Sequence, residues 1–102
     1  MDEIAAAEVT RIRQVLKAHM PALRETYHVA SLSLFGAYVR GEQQPGSDLG
    51  ILVTFDEMPS LLAFVDLKLT LSDLLGVEVD LVMRSALKPH IGERILDEAV
   101  PV

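Results

Sequence analysis

The chain contains no cysteine. That excludes disulfides, thiolate metal sites and thiol nucleophiles, so any metal must be held by oxygen or imidazole ligands. No apolar run reaches the roughly 18 residues needed to span a bilayer. The opening Met1-Asp2-Glu3-Ile4 is acidic where a secretory signal needs a basic segment. A cytoplasmic location with no membrane partner is expected. Basic residues are also scarce: 9 Lys and Arg stand against 15 Asp and Glu, for a formal net charge of -6. A protein that grips many phosphates usually presents a basic face, so strong direct nucleic-acid binding is not expected. The acidity suits a basic protein partner or divalent cations, or serves only solubility. Internal repeats, low-complexity tracts and linkers are missing too, and 102 residues suffice for one domain of two packed layers.

Along the chain, periodicity predicts the elements. Ala5, Val9, Ile12 and Leu16 recur at spacings of four, three and four, which predicts an amphipathic helix from Asp2 to about His19. Pro21 suits the first turn of a second short helix running to about His28. Val29 to Phe35 alternates as a strand whose Ala30, Leu32 and Leu34 form a wholly apolar face. After a short segment from Ala37 to Gly41, the polar run Glu42 to Ser47 carries a Pro45-Gly46 turn signal, and a second strand runs from Asp48 to Phe55. Pro59 opens a helix bearing Phe64, Leu67, Leu71 and Leu74, and Gly76 is placed to end it. Val77 to Met83 is a third strand. Pro89 starts a last helix with Ile91, Ile95 and Ala99 on one face.

Strands separated by helices indicate an α/β (α+β) architecture, a small sheet with helices packed against it. The link between the first two strands is shorter than the dozen or more residues a parallel crossover needs. Those strands should therefore be antiparallel and the sheet mixed.

Chemistry concentrates in Leu34-Phe35-Gly36-Ala37-Tyr38-Val39-Arg40-Gly41-Glu42 and in Gly46-Ser47-Asp48-Leu49-Gly50-Ile51-Leu52-Val53. Gly36 lies between a strand and a short helix, where backbone N–H groups can receive a phosphate, although most such glycines only make the turn. Asp48 opens an otherwise apolar strand, and Asp80 interrupts Val77-Glu78-Val79-Asp80-Leu81-Val82. Each must be hydrated, hydrogen-bonded or cation-bound. Two carboxylates on adjacent strands could converge on one hard cation such as Mg²⁺, or could be solvated strand ends or salt-bridge partners. Arg40 could contact phosphate or pair with Glu42. His19, His28 and His90 are scattered over three segments and read as structural.

In these stretches the chain resembles the minimal nucleotidyltransferase (MNT) antitoxins of the DNA polymerase beta superfamily. Their signature is Gly-Ser, ten residues, Asp-x-Asp, and a third Asp on a later strand. Here Gly36-Ala37 is followed by ten residues and Asp48-Leu49-Gly50, and Asp80 takes the third place. Arg40-Gly41-Glu42, Ser47-Asp48 and the closing Lys88-Pro89 to Ile95 also match, so the resemblance covers nearly the whole chain.

The resemblance implies the nucleotidyltransferase fold and Mg²⁺-dependent transfer of AMP from ATP to a tyrosine hydroxyl of a HEPN-type toxin, which the antitoxin also binds. It implies Asp48 and Asp80 as catalytic metal ligands, with Asp80 nearest the acceptor, and Gly36, Ala37 and Arg40 as nucleotide-binding residues. Two departures point to impaired activity. Ala37 stands where the family has Ser, and Gly50 stands where it has the second Asp. Gly50, inside a strand of Leu, Ile and Val, reads as the replacement of something larger. The alternative is a catalytically silent module that neutralises a partner by association. A helical partner or a second copy of the chain is expected to cover part of the leucine-rich helix.

Overall fold

The computed structural model describes residues 3–102. Its elements run in the order α1 (Glu3–Tyr27), β1 (Val29–Phe35), α2 (Ala37–Arg40), β2 (Leu49–Phe55), α3 (Leu61–Leu75), β3 (Val79–Met83), a 3₁₀ turn (Arg84–Ala86), α4 (Ile91–Glu98) and β4 (Val100–Pro101). The four strands form one sheet in the order β3-β2-β1-β4. β1 pairs antiparallel with both β2 and β4, and β2 pairs parallel with β3 across the α3 crossover. The mixed sheet and the antiparallel first pair are as the short connection requires.

The two helices expected before β1 are one. Pro21 sits inside α1, exposed to solvent. Its missing N–H removes one backbone bond, but the helix continues because Ile12, Leu16 and Leu23, at spacings of four and seven, all reach the core. Fully burying each such side chain is worth about 1.5–3 kcal/mol, enough to outweigh one lost bond. Asp2, where the first helix was expected to begin, lies outside the described residues, as does the side chain of Ala5. His28 stops the helix in the left-handed region at φ 60°, with its N–H bonded to Arg24 O at 3.0 Å.

One face of the sheet is the core. Leu32 and Leu34 of β1, Leu49, Ile51 and Val53 of β2, and Val79 and Leu81 of β3 pack against Leu67, Leu71 and Leu75 of α3 and the buried stripe of α1. Val29 joins them, against simple alternation, because the register shifts between Val29 and Ser31. This irregularity returns Val29 to the core side and leaves Ser31 exposed. The Tyr27 hydroxyl donates to Asp66 Oδ2 at 2.8 Å and lies 3.0 Å from Thr70 Oγ1, tying the end of α1 to α3.

Some boundaries differ from the periodicity reading. α3 is capped by the Ser60 hydroxyl, which accepts from Ala63 N at 3.1 Å, so Pro59 precedes the helix rather than opening it. Gly76 ends it at φ 70° as expected. β3 begins at Val79 rather than Val77. α4 ends at Glu98, and Ala99 is already extended at ψ 134°. Pro101 cannot continue a helix and disfavours helical geometry in the residue before it. Val100 and Pro101 instead pair with Leu34 and Ser33 along the free edge of β1.

Candidate functional site

The side of the sheet opposite the core carries the candidate site residues. Strand alternation puts Phe35, Ser33 and Ser31 of β1, Gly50, Leu52 and Thr54 of β2, and Asp80 and Val82 of β3 on this side. Phe35 is aligned with Gly50, and Gly50 with Asp80, so the three form a row across the sheet. Asp48 immediately precedes β2, two residues before Gly50 and in phase with it. The strand entry is fixed by Leu49 N donating to Glu78 O at 2.8 Å. Asp48 and Asp80 are both exposed to solvent. Hydration removes the cost of burying either charge, and both carboxylates stay accessible to a ligand.

Gly36 sits over the same point. Its φ of 91° and ψ of -159° lie in a region that essentially only glycine adopts. A Cβ placed there would come 4.0 Å from Gly50 N, so the turn into α2 runs directly alongside the β2 backbone. Val39 N and Arg40 N bond back to Gly36 O at 3.1 and 3.2 Å, closing the short helix. Ala37 begins that helix, and Tyr38 anchors it in the core at 8% exposure.

Arg40 is held by two carboxylates. Its Nε donates to Glu42 Oε2 at 3.0 Å, and its Nη1 donates to both oxygens of Glu98, at 2.8 and 3.1 Å. Hydrogen bonds to Glu42 and then to Glu98 raise its pKa, so the guanidinium stays charged. Its place is a clasp between α2 and the end of α4. A phosphate would have to compete with both acids for it.

Two exposed carboxylates on neighbouring strands suit one Mg²⁺, which typically takes one or two protein carboxylates, substrate phosphates and several waters. They do not suit a pair of cations. Gly50 offers no ligand between them, and among the described residues no three His, Asp or Glu side chains converge. None of the three histidines stands in the row: His19 Nδ1 donates to Val15 O at 2.9 Å, His28 faces Glu57, and His90 precedes α4.

Sequence reading missed Phe35. A Cβ at Gly50 would lie 2.7 Å from Phe35 Cε2, 2.8 Å from Cδ2 and 2.7 Å from Phe35 O. The space a side chain at position 50 would need is therefore filled by a ring and a close backbone. Only the strand register reveals this, because loop length does not specify which residue of β1 faces Gly50. Glu98 was missed as the second partner of Arg40, from which it is 58 residues distant.

Residues 16–102 match the nucleotidyltransferase domain family. The chain belongs to that family. A protein adenylyltransferase MntA from Thermococcus cleftensis is 46% identical over 99 residues, covering 97% of this chain and all of that one. A Methanocaldococcus jannaschii relative, whose name proposes a protein adenylyltransferase, is 43% identical over 95 residues, covering 92% and 97%. Among solved structures, one described as a proposed minimal nucleotidyltransferase superposes with a TM-score of 0.73 at 36% identity, covering 100% of this chain and 97% of that one. A toxin-antitoxin complex crystallised with AMP-PNP superposes with a TM-score of 0.66 at 23% identity, covering 90% and 69%, a likeness of fold. The expected fold and the minimal nucleotidyltransferase family are thereby established.

Proposed function

We propose that this nucleotidyltransferase is the antitoxin of a HEPN/MNT pair, acting in the cytoplasm on AMP transfer from ATP to a tyrosine hydroxyl of a HEPN-type toxin, at reduced efficiency. The observation that carries this reading is the row Phe35, Gly50, Asp80 beside Gly36, with Asp48 at the entry to β2. Support also comes from the adenylyltransferase name of the 46% identical relative. A further neighbour in fold is an MNT antitoxin in complex with a tri-AMPylated Shewanella oneidensis HEPN toxin, at 18% identity and a TM-score of 0.59.

In this reading the acceptor hydroxyl gives up its proton to solvent or to the Asp80 carboxylate, its oxygen attacks the α-phosphorus, the bond to the bridging oxygen breaks, and pyrophosphate leaves. Asp48 and Asp80 would hold Mg²⁺, which supplies charge neutralisation on the phosphates when bound. Asp80, on the outer strand β3, faces the acceptor. Gly36 lets the triphosphate approach the backbone closely, since it has no Cβ. Ala37 can offer its N–H but no hydroxyl, and so forgoes one hydrogen bond to phosphate. The acceptor tyrosine belongs to the toxin in this reading, so it is brought to the row by another protein.

The test is transfer of labelled AMP from Mg·ATP to a HEPN-type toxin, with Asp80→Asn as control. Slow transfer that disappears in Asp80→Asn is expected. Equal labelling by both proteins would defeat the reading.

A second reading, a catalytically silent binding module, is favoured by the outward surface of α3. Leu61, Leu62 and Leu69 are 78%, 83% and 57% exposed, and Met58 just before the helix is 71% exposed. This apolar strip has a helical toxin or a second copy of the chain as candidate cover. Neutralisation of the toxin by Asp80→Asn as fully as by the unaltered protein, with no AMP transferred by either, would select this reading.

A further inference from the structure

One helix of the core layer is apolar on both sides. Leu67, Leu71 and Leu75 of α3 are buried against the sheet, whereas Leu61, Leu62, Val65 and Leu69 are 78%, 83%, 43% and 57% exposed. Met58, just before the helix, extends the strip. Leucines exposed singly are ordinary, but a run of large apolar side chains along one helix marks an interaction surface. Leu62, Val65 and Leu69 follow one another at spacings of three and four, the a, d, a order of a helix-pairing seam. The seam stops at Ser72, whose hydroxyl accepts from Val79 N at 3.1 Å and belongs to the joint between α3 and β3.

The two edges of this strip carry opposite charges. At about 100° per residue, Leu61 and Lys68 border it on one side and Asp66 and Asp73 on the other. Asp66 already accepts from the Tyr27 hydroxyl. Among the described residues, the side chains of Lys68 and Asp73 have no hydrogen-bond or ion-pair partner. In a parallel pair of helices each g residue faces the e residue five places further along the other chain, and Lys68 and Asp73 stand five places apart at g and e. An antiparallel pair would bring like edges together, lysine to lysine and aspartate to aspartate. The strip is therefore complementary to a parallel copy of itself, the local match that a chain of net charge -6 needs to self-associate. A third helix would widen the seam and bury the aspartates, so two copies is the number that leaves them in water.

We propose that the chain forms a weak parallel homodimer through α3, with Leu62, Val65 and Leu69 as its seam and Lys68 of each copy facing Asp73 of the other. Phe35, Gly50 and Asp80 lie on the side of the sheet away from α3, so the pairing leaves both candidate rows open and directed away from each other. It goes beyond the nucleotidyltransferase reading and does not rest on it: a chain that transfers no AMP still pairs. So short a seam lies at the weak end of specific interfaces, with a Kd on the order of 10 to 100 µM.

Sedimentation equilibrium of the full chain from about 5 to 500 µM should show a reversible monomer–dimer equilibrium in that range. Lys68→Asp and Asp73→Lys should each weaken it about three- to tenfold, the second although it lowers the net acidity. Lys68→Asp/Asp73→Lys should return to within about twofold of the unaltered chain, because the two charges act as a pair. Cross-linking reads the orientation cleanly, since the chain has no cysteine of its own. On mild oxidation Leu62→Cys alone should form a disulfide-linked dimer, as parallel a positions face each other. Leu62→Cys mixed with Leu69→Cys should give no mixed cross-link, because the two positions are about 10 Å apart along the helix. A monomer throughout the concentration range, including one that binds a helical toxin through the same strip, overturns the proposal. So does an assembly larger than two, a double variant that recovers nothing, or cross-linking confined to the mixture.

Discussion

The two sides of β1, β2 and β3 differ in what they present. On the helix-covered side, alternate residues are Leu, Ile and Val, and Leu34, Leu49 and Ile51 have no exposed surface at all. On the other side the same strands present Ser31, Ser33, Gly50, Thr54 and Asp80. The first side is the buried core, and the second holds the exposed carboxylate of Asp80. Phe35 and Leu52 cross that division: both are large apolar residues on the second side, 8% and 4% exposed, and the Phe35 ring lies against Gly50.

Core substitutions should give the largest effects. Leu34→Ala, on the central strand, is expected to lose about 2–5 kcal/mol in urea unfolding. Ser33→Ala, one residue along and facing the other way, should change stability by no more than about 0.5 kcal/mol. Similar losses for the two would mean that the faces are not divided as described.

The converse test belongs to Asp80. Asp80→Asn should leave the unfolding midpoint unchanged within error while weakening Mg·ATP binding by about 10- to 100-fold in calorimetric titration, the range typical for lost support of a metal site. A large drop in stability would instead make Asp80 part of the framework.

Smaller effects lie at the joints holding the helical layer in place. Removing the α3 cap with Ser60→Ala should cost about 0.5–2 kcal/mol, because Ala63 N loses its acceptor. His28→Gly should stabilise by about 0.5–1 kcal/mol, as glycine relieves the φ of 60° at the end of α1. Thermal unfolding of both variants checks the pair, which should move in opposite directions.

The smallest expected change is a pH effect on the helical side. The hydrogen bond from Arg11 lowers the pKa of Glu8, with an Nη2 to Oε1 distance of 2.6 Å. A carboxylate with a lowered folded-state pKa stabilises above its ordinary value and loses that contribution as pH falls through the folded one. Both side chains are partly solvated, so Glu8→Gln should cost only about 0.2–0.5 kcal/mol at pH 7, with the difference from the unaltered chain vanishing as pH falls through the lowered carboxylate value. A difference that persisted in acid would assign it to packing.

What the sequence by itself determined was whatever local periodicity and short motifs encode. The apolar face of β1, the Leu-rich β2, the α3 stripe from Leu67 to Leu75 and the stop at Gly76 follow from alternation, helical spacing and the tolerance of glycine for positive φ. The spacing from Gly36-Ala37 to Asp48 and on to Asp80 was legible as family wording. Tertiary structure alone decided the rest, because it depends on contacts between residues far apart in the chain. Burial of Leu23 carried α1 through Pro21. The open edge of β1 drew Val100 and Pro101 into a fourth strand. Arg40 found Glu98 only because α4 folds back beside α2. The register of β1 on β2 set Phe35 against Gly50, turning an apparent vacancy into a packed contact. A single-residue shift in that register would turn every β1 side chain to the opposite face, and no local pattern near residue 50 specifies it.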